Sequence, residues 1–523
     1  MCYLMLTLLR IFSFISTAGY ILYVYFYIFS PGSLPFLTNA LHFILFNGII
    51  ALLFYGTIQM ETLPMQMTKE QARYEKMTKT PIPKLICTLA VPTIISMLTT
   101  SFYNLVDTFF VGKLGTSATA AVGVIFSIMA LIQAIGFTFG VGSGSFVSRL
   151  MGAKENEKAN SVASTAFFAS IFVGFLLMGF GLIFLDKLVY WLGATDTIAP
   201  FAMDYARIIL FGAPIMTAVF VMNNLLRGEG SAMLSMIGVA SGAIINTILD
   251  PIFIFVLDMG ISGAALATVL SQLTSFLVLF SNFRGGKSNL KLSIKAISTD
   301  IAVHKEILKI GAPSLFRQGL ASLASIFLNL AGAPFGDAAI AAMSVVNRVT
   351  MFIQSVLLGF GQGFQPVAGF SWGSRNYKRL LEGYTFCLKT GFTVMACIAF
   401  CSFLLATPIV EIFRKGDPEV TAIGSLALRF ACVMVPLQAY TIITNMLFQS
   451  IGRAKAAAVL ALARQGLFFI PFILTLPNFL GILGIQIAQP LGDFGTFCIS
   501  FPLSISIIKE LKLLVATEEK EKN

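Results

Sequence analysis

Charge is scarce in this chain: Asp, Glu, Lys and Arg make up 11% of its 523 residues, against 57% hydrophobic residues. A soluble fold of this length could not hide so much apolar surface, which excludes a soluble globular protein. Histidine is scarcer still, and His42 and His304 are too few and too far apart for a catalytic triad or a metal centre. The seven cysteines (Cys2, Cys87, Cys387, Cys397, Cys401, Cys432, Cys498) make no Cys-x-x-Cys pair and mostly lie within apolar segments. They read as reduced packing residues, with neither disulfide nor zinc site. Also missing is a basic domain or basic amphipathic face that would assign the formal charge of +11 to nucleic-acid binding.

What the chain has instead is apolar runs of about 20 residues or more, each long enough to cross a hydrocarbon core of about 30 Å as a helix. The alternation of barrel strands is absent. The runs give twelve spans, near 85–111, 119–148, 160–185, 199–226, 233–257, 261–283, 306–333, 339–370, 384–413, 420–450, 456–477 and 481–508. Between the sixth and seventh, residues 284–305 carry Arg284, Lys287, Lys291, Lys295 and Lys305 and read as a cytoplasmic linker between residues 67–283 and 306–512. Residues 513–523 read as a charged tail. Arg and Lys concentrate on alternate loops (Arg149, Lys154 and Lys158; Arg227; the linker; Arg375, Lys378 and Arg379; Arg453 and Lys455; Lys509 and Lys512). Positive charge stays inside, so both ends of the twelve-span unit should be cytoplasmic.

Sliding the halves against one another exposes a repeat. Pro92 meets Pro313, Gly115 meets Gly336, Ala120-Ala121 meets Ala341-Ala342, Gly140 and Gly142 meet Gly361 and Gly363, and Gly152 meets Gly373, all at an offset of 221. Arg207, Pro214 and Asn223 meet Arg429, Pro436 and Asn445 at 222. Six spans separate the copies, so both lie the same way up, related by an axis along the membrane normal with a cavity between them. The expected fold is an all-α polytopic membrane protein, with twelve transmembrane helices in two six-helix lobes about a central cavity.

Two acids stand inside this apolar frame: Asp107 in SFYNLVDTFFV and Asp250 in NTILDPIFIF. A carboxylate in the hydrocarbon region costs several kcal/mol, so such groups usually face a cavity and have a task. Asp107 lies 23 residues beyond Lys84 and Asp250 lies 19 beyond Ser231, which puts both in the outer half of the bilayer. Asn246 is one turn before Asp250, and Thr268 is in the span that returns from the outer surface. Carboxylate, amide and hydroxyl oxygens suit a small cation such as Na+ and equally a shared proton, since two neighbouring acids do not both ionise easily. Pro92, on the Asp107 helix, would let that helix bend.

VPTIISMLTTSFYNLVDTFFVGKLG, NNLLRGEGSAM, NTILDPIFIF and GISGAALATVLSQ, in that order, closely resemble the multidrug and toxic compound extrusion (MATE) family, in its DinF-like bacterial branch; the match runs over about Lys79 to Lys512. The resemblance implies a monomeric antiporter of the bacterial inner membrane, exporting cationic or amphiphilic drugs in exchange for H+ or Na+, with no other cofactor and no nucleic-acid partner. It places the cation site at Asp107, Asn246, Asp250 and Thr268, adds Asn223 from the fourth helix, and lines the first lobe with Tyr103 and Tyr205. Asn223 is four residues from Arg227, at the cytoplasmic end, whereas Asp250 should be much higher. In the second half Asp107 maps to Leu328 and Asp250 to Phe472, so an acidic site there is in doubt. Arg317 and Gln318, one turn past Pro313, are candidates for the second lobe's cavity. The rival function is flipping of lipid-linked precursors, for which Arg207, Arg317 and Arg429 would be the arginine-rich lining; no nucleophile or metal signature supports an enzyme. Upstream of the family pattern, residues 1–66 hold apolar stretches at about 4–29 and 41–58. These form either an extra helical hairpin or the product of a start-site error, with Met65 or Met67 as the functional start.

Overall fold

The computed structural model describes residues 69–413 and 417–522. The two apolar stretches of residues 1–66 lie outside them. The spans are α1 (Ile82–Gly112), α2 (Thr116–Gly152), α3 (Asn156–Ile183), α4 (Ala199–Gly228), α5 (Ala232–Val256), α6 (Gly260–Arg284), α7 (Ile301–Gly332), α8 (Asp337–Gly373), α9 (Tyr377–Leu404), α10 (Pro418–Ser450), α11 (Ala454–Leu480) and α12 (Ile482–Lys520). Eleven of these are long and apolar enough to cross a membrane. The remaining one, α7, has 32 residues and is made less apolar by Arg317, Gln318 and Asn329 in its membrane half. All are helices because hydrocarbon offers no partner for backbone N–H and C=O groups, which must then bond within the segment.

The repeat expected from the sequence is a repeat of structure. Within the first lobe α4 packs on α2, α3 and α6, α5 packs on α6, and α1 packs on α5. Six spans on, α10 packs on α8, α9 and α12, α11 packs on α12, and α7 packs on α11. The contacts between lobes, α1 with α8 and α2 with α7, exchange under the same operation, as a pseudo-two-fold requires. Turns obey it too. Gly115 (φ 111°) and Gly336 (φ 85°) precede α2 and α8 in a conformation that L side chains rarely adopt. Each lobe carries a short helix after its third span, Leu185–Trp191 and Ala406–Phe413. The ninth span therefore ends at Leu404, where the sequence reads as one run to 413. At the other end, α12 continues as helix to Lys522, through residues expected to be a tail.

The lobes meet at the end of the bundle that carries the basic loops. Gly142 lies against the Ile307 carbonyl, Gly311 against that of Thr138, Gly363 against Ala90, Gly359 against Ile94 and Gly373 against the Arg149 carbonyl. A buried cluster spans both lobes there, joining Ile86, Leu89, Val147 and Leu225 to Phe364, Phe370 and Leu447. Between membrane helices this is packing attraction and not a hydrophobic effect, and glycine permits it by letting backbones touch. Arg149 pairs with Glu306 at 3.3 Å across the seam. The linker is strapped to the first lobe: Lys291 N donates to Asn160 Oδ1 at 2.8 Å and Ser298 N to Thr165 Oγ1 at 2.9 Å.

Candidate functional site

Asp107 and Asp250 come together. The charge of Asp107 acts on Asp250, and both act on the hydroxyls of Tyr103, one turn before Asp107, and of Tyr205 on α4. Asn246 Nδ2 donates to Asp250 Oδ1 at 3.2 Å, the one-turn spacing placing both on one face of α5. Thr268 on α6 reaches Tyr205, whose hydroxyl lies 3.8 Å from Met129 Sδ. Five of the sequence candidates thus join Tyr103 in one cluster from α1, α4, α5 and α6. Asp250 and Tyr205 are completely buried, and Asn246 and Thr268 nearly so.

The cluster is not self-satisfied. Asp107 Oδ1, Asp250 Oδ2 and Asn246 Oδ1 are buried with no hydrogen-bond partner among the described residues. Each bare oxygen carries a desolvation cost of about 1–3 kcal/mol, more for a charged one. Three oxygens with two carboxyl groups behind them suit a proton or one Na+, with Thr268 and the tyrosine hydroxyls as neutral supplements. Among the described residues no three His, Cys, Asp or Glu side chains gather, so the donor set is poor for zinc. Just beyond Asp250 the helix widens into π turns over Ile252–Val256, a deformation that recurs at functional positions.

Asn223 is placed elsewhere. Ser235 Oγ donates to its Oδ1 at the basic end of α5, which ties the end of α4 to the start of α5. Ser235 is 15 residues before Asp250, about 22 Å along a helix. The repeat explains the residue: Asn445 Nδ2 donates to the Ala457 carbonyl at 2.7 Å, the same tie in the second lobe. Pro92 is buried at the seam, flanked by the Ala90 and Ile94 that receive Gly363 and Gly359. Thr93 next to it donates to the Gly359 carbonyl at 2.6 Å. Gln318 Nε2 donates across the seam to Gln133 Oε1 at 2.5 Å, and Ser101 Oγ bonds Ser355 Oγ at 2.7 Å. Arg317 faces α11. Of the other arginines, Arg207 is exposed and Arg429 rests on the Phe403 ring at 5.9 Å.

Sequence reasoning missed a second charged group. Arg464 on α11 pairs with the buried Asp493 of α12 at 2.7 Å. The signal was the one that singles out Asp107, an ionisable residue inside an apolar run; neither has a charged counterpart in the first lobe.

A two-lobe helical bundle with a pseudo-two-fold along its spans and a bare carboxyl pair inside one lobe has the architecture of a membrane transporter. The MatE family model matches residues 92–252 and 313–475, once in each lobe and beginning at the two equivalent prolines, and the chain belongs to this family of efflux transporters. It is 28% identical over 403 residues to "Multidrug export protein MepA" of Staphylococcus haemolyticus, covering 77% of this chain and 88% of that one. Among solved structures it resembles an outward-facing conformation of a multidrug resistance MATE family transporter of the MOP superfamily (28% identity, TM-score 0.80, 86% of this chain and 99% of that chain). A MATE in the straight conformation is similar to the same degree (29% identity, TM-score 0.80, 86% and 100% covered).

Proposed function

We propose that this protein exports cationic or amphiphilic small molecules by exchanging them for H+ or Na+ at the Asp107–Asp250 cluster. The observation that carries the reading is the set of three buried, unpartnered oxygens on Asp107, Asn246 and Asp250. With them empty of positive charge, two carboxylates repel across a water-poor space; a proton or Na+ relieves that repulsion, so the ion-loaded and ion-free lobes differ in energy. That difference is what alternating access needs. An organic cation competes for the same negative charge, which makes ion and drug exclusive occupants. The basic end is the cytoplasmic end, and the seam closed there corresponds to an outward-facing state, in keeping with the outward-facing relative. The chain functions as a monomer in the cell membrane with both ends of the twelve-span unit inside. Export suits the relatives' names better than lipid-precursor flipping, and Arg207 and Arg429 do not join Arg317 in one lining.

The test is efflux of a fluorescent organic cation from proteoliposomes with Na+ and pH gradients imposed separately. Wild type should respond to one of them. Asp107→Asn and Asp250→Asn should each lose gradient-driven efflux by about tenfold or more, with the melting temperature in detergent kept or raised because a bare charge is removed. Coupled efflux persisting in both variants would end this assignment.

A further inference from the structure

The second lobe holds half-buried charge of the opposite sign. Arg464 lies in the π-helical stretch Ala463–Phe469 of α11; its Nε donates to Asp493 Oδ1 at 2.7 Å and its Nη1 to Gln354 Oε1 at 3.4 Å. Asp493, 4% exposed, accepts twice more, from Gln438 Nε2 at 2.5 Å and Gln489 Nε2 at 3.2 Å. Its charge is thus fully used by Arg464 and two amides.

Arg317 has no such partner. Half-buried on α7, it makes no ion pair or hydrogen bond among the described residues, and the charge that acts on it is the like charge of Arg464. α7 and α11 are tightly packed beside it, since a methyl carbon on Gly466 would come within 3.1 Å of Leu320 Cδ1, one turn along from Arg317. The adjacent Gln318 bonds Gln133 of the first lobe, so Arg317 lies on α7 beside a contact between the lobes. An uncompensated guanidinium among membrane helices is costly and cannot escape by losing its proton. It calls for an anion, and its planar fork matches a carboxylate.

The repeat sharpens the contrast. Arg317 and Arg464 correspond to Ser96 and Gly242 in the first lobe, while Asp107 and Asp250 correspond to Leu328 and Phe472 in the second. One scaffold has been given an acidic recess in one lobe and a basic recess in the other. We infer that Arg317, backed by Arg464, is an anion-binding site that takes the carboxylate of a transported zwitterion whose cationic end is drawn to the acids of the first lobe. This rests on the export reading and extends it to the substrate class. The same chemistry could be met by free chloride, which the test separates.

The probe pair is rhodamine 110, which bears a free carboxylate, and rhodamine 123, its methyl ester, in proteoliposomes holding the full chain. The ratio of rhodamine 110 to rhodamine 123 efflux should fall about tenfold or more in Arg317→Gln and recover in Arg317→Lys, which restores the charge. With chloride replaced by methanesulfonate, which has no carboxylate, an unchanged ratio in wild type assigns the site to the solute's own carboxylate. Ester efflux that becomes chloride-dependent in wild type but not in Arg317→Gln assigns it to the inorganic anion. Equal loss of both dyes in Arg317→Gln, as from a purely structural lesion, or no loss of either, overturns the inference while leaving export intact. Wild type moving neither dye would remove the export reading, and this one with it.

Discussion

Arg464, half-buried, and Asp493, buried, form a pair whose value lies less in net stability than in what happens when half of it is lost. Two desolvated charges with good geometry roughly break even against apolar replacements, but one alone does not. Asp493→Leu alone should therefore cost about 3–5 kcal/mol, seen as a lower thermal midpoint in detergent, whereas Arg464→Met together with Asp493→Leu should recover most of it. A double variant no more stable than the single would show that the pair is not the cause. The acid cluster was legible in the sequence because an aspartate inside an apolar run is conspicuous in one dimension. The Asn223 tie was not: whether an asparagine meets Asp250 or Ser235 depends on the level of its helix, and only its four-residue distance from Arg227 hinted at the outcome. Nor was the bareness of Arg317 legible, since the partners that bypass it, Asp493 and Gln354, go instead to Arg464.

At the level of elements, α1 does two jobs. Its first half, around Pro92, is held by the α8 glycines, and its second half carries Tyr103 and Asp107. Pro92 leaves the Thr88 carbonyl without its helical donor, a local weakness, and we propose that the outer half swings about it as charge at Asp107 changes. Pro92→Ala restores that donor. The variant should bind organic cations with near wild-type affinity and melt no lower, yet export them about tenfold more slowly; unchanged export would locate the bend elsewhere. The twelve spans were readable from hydropathy to within a few residues at most ends, with two kinds of exception. Ala406–Phe413 was invisible because the chain stays apolar through the break that creates it, whereas Leu185–Trp191, with Asp186 and Lys187 just past the break, read as part of a loop. α12 runs on past the membrane because helices end where geometry or capping stops them, and Lys-Glu-rich sequence is itself helix-forming.

For the whole molecule, the repeat was the most legible feature: a constant offset between glycines and prolines implied like-oriented lobes, and the pattern of helix neighbours follows it. Which end is shut was not legible, because glycine spacing does not say which backbone a glycine will touch. Gly311 has no room for a side chain against the Thr138 carbonyl. Gly311→Val should wedge the seam apart, so that spin labels on Lys158 and Lys378, one per lobe, move several ångströms further apart than in otherwise unaltered protein; an unchanged separation would show that the seam yields locally.

Where the joint is main chain against main chain, at its glycines, it has no soft parts. Long side chains could give way one at a time and let solutes seep past, whereas these touching backbones must part together or stay shut. In the proposed exchange cycle, switching would then be all-or-none, and the bilayer would keep its ion gradient through each turnover.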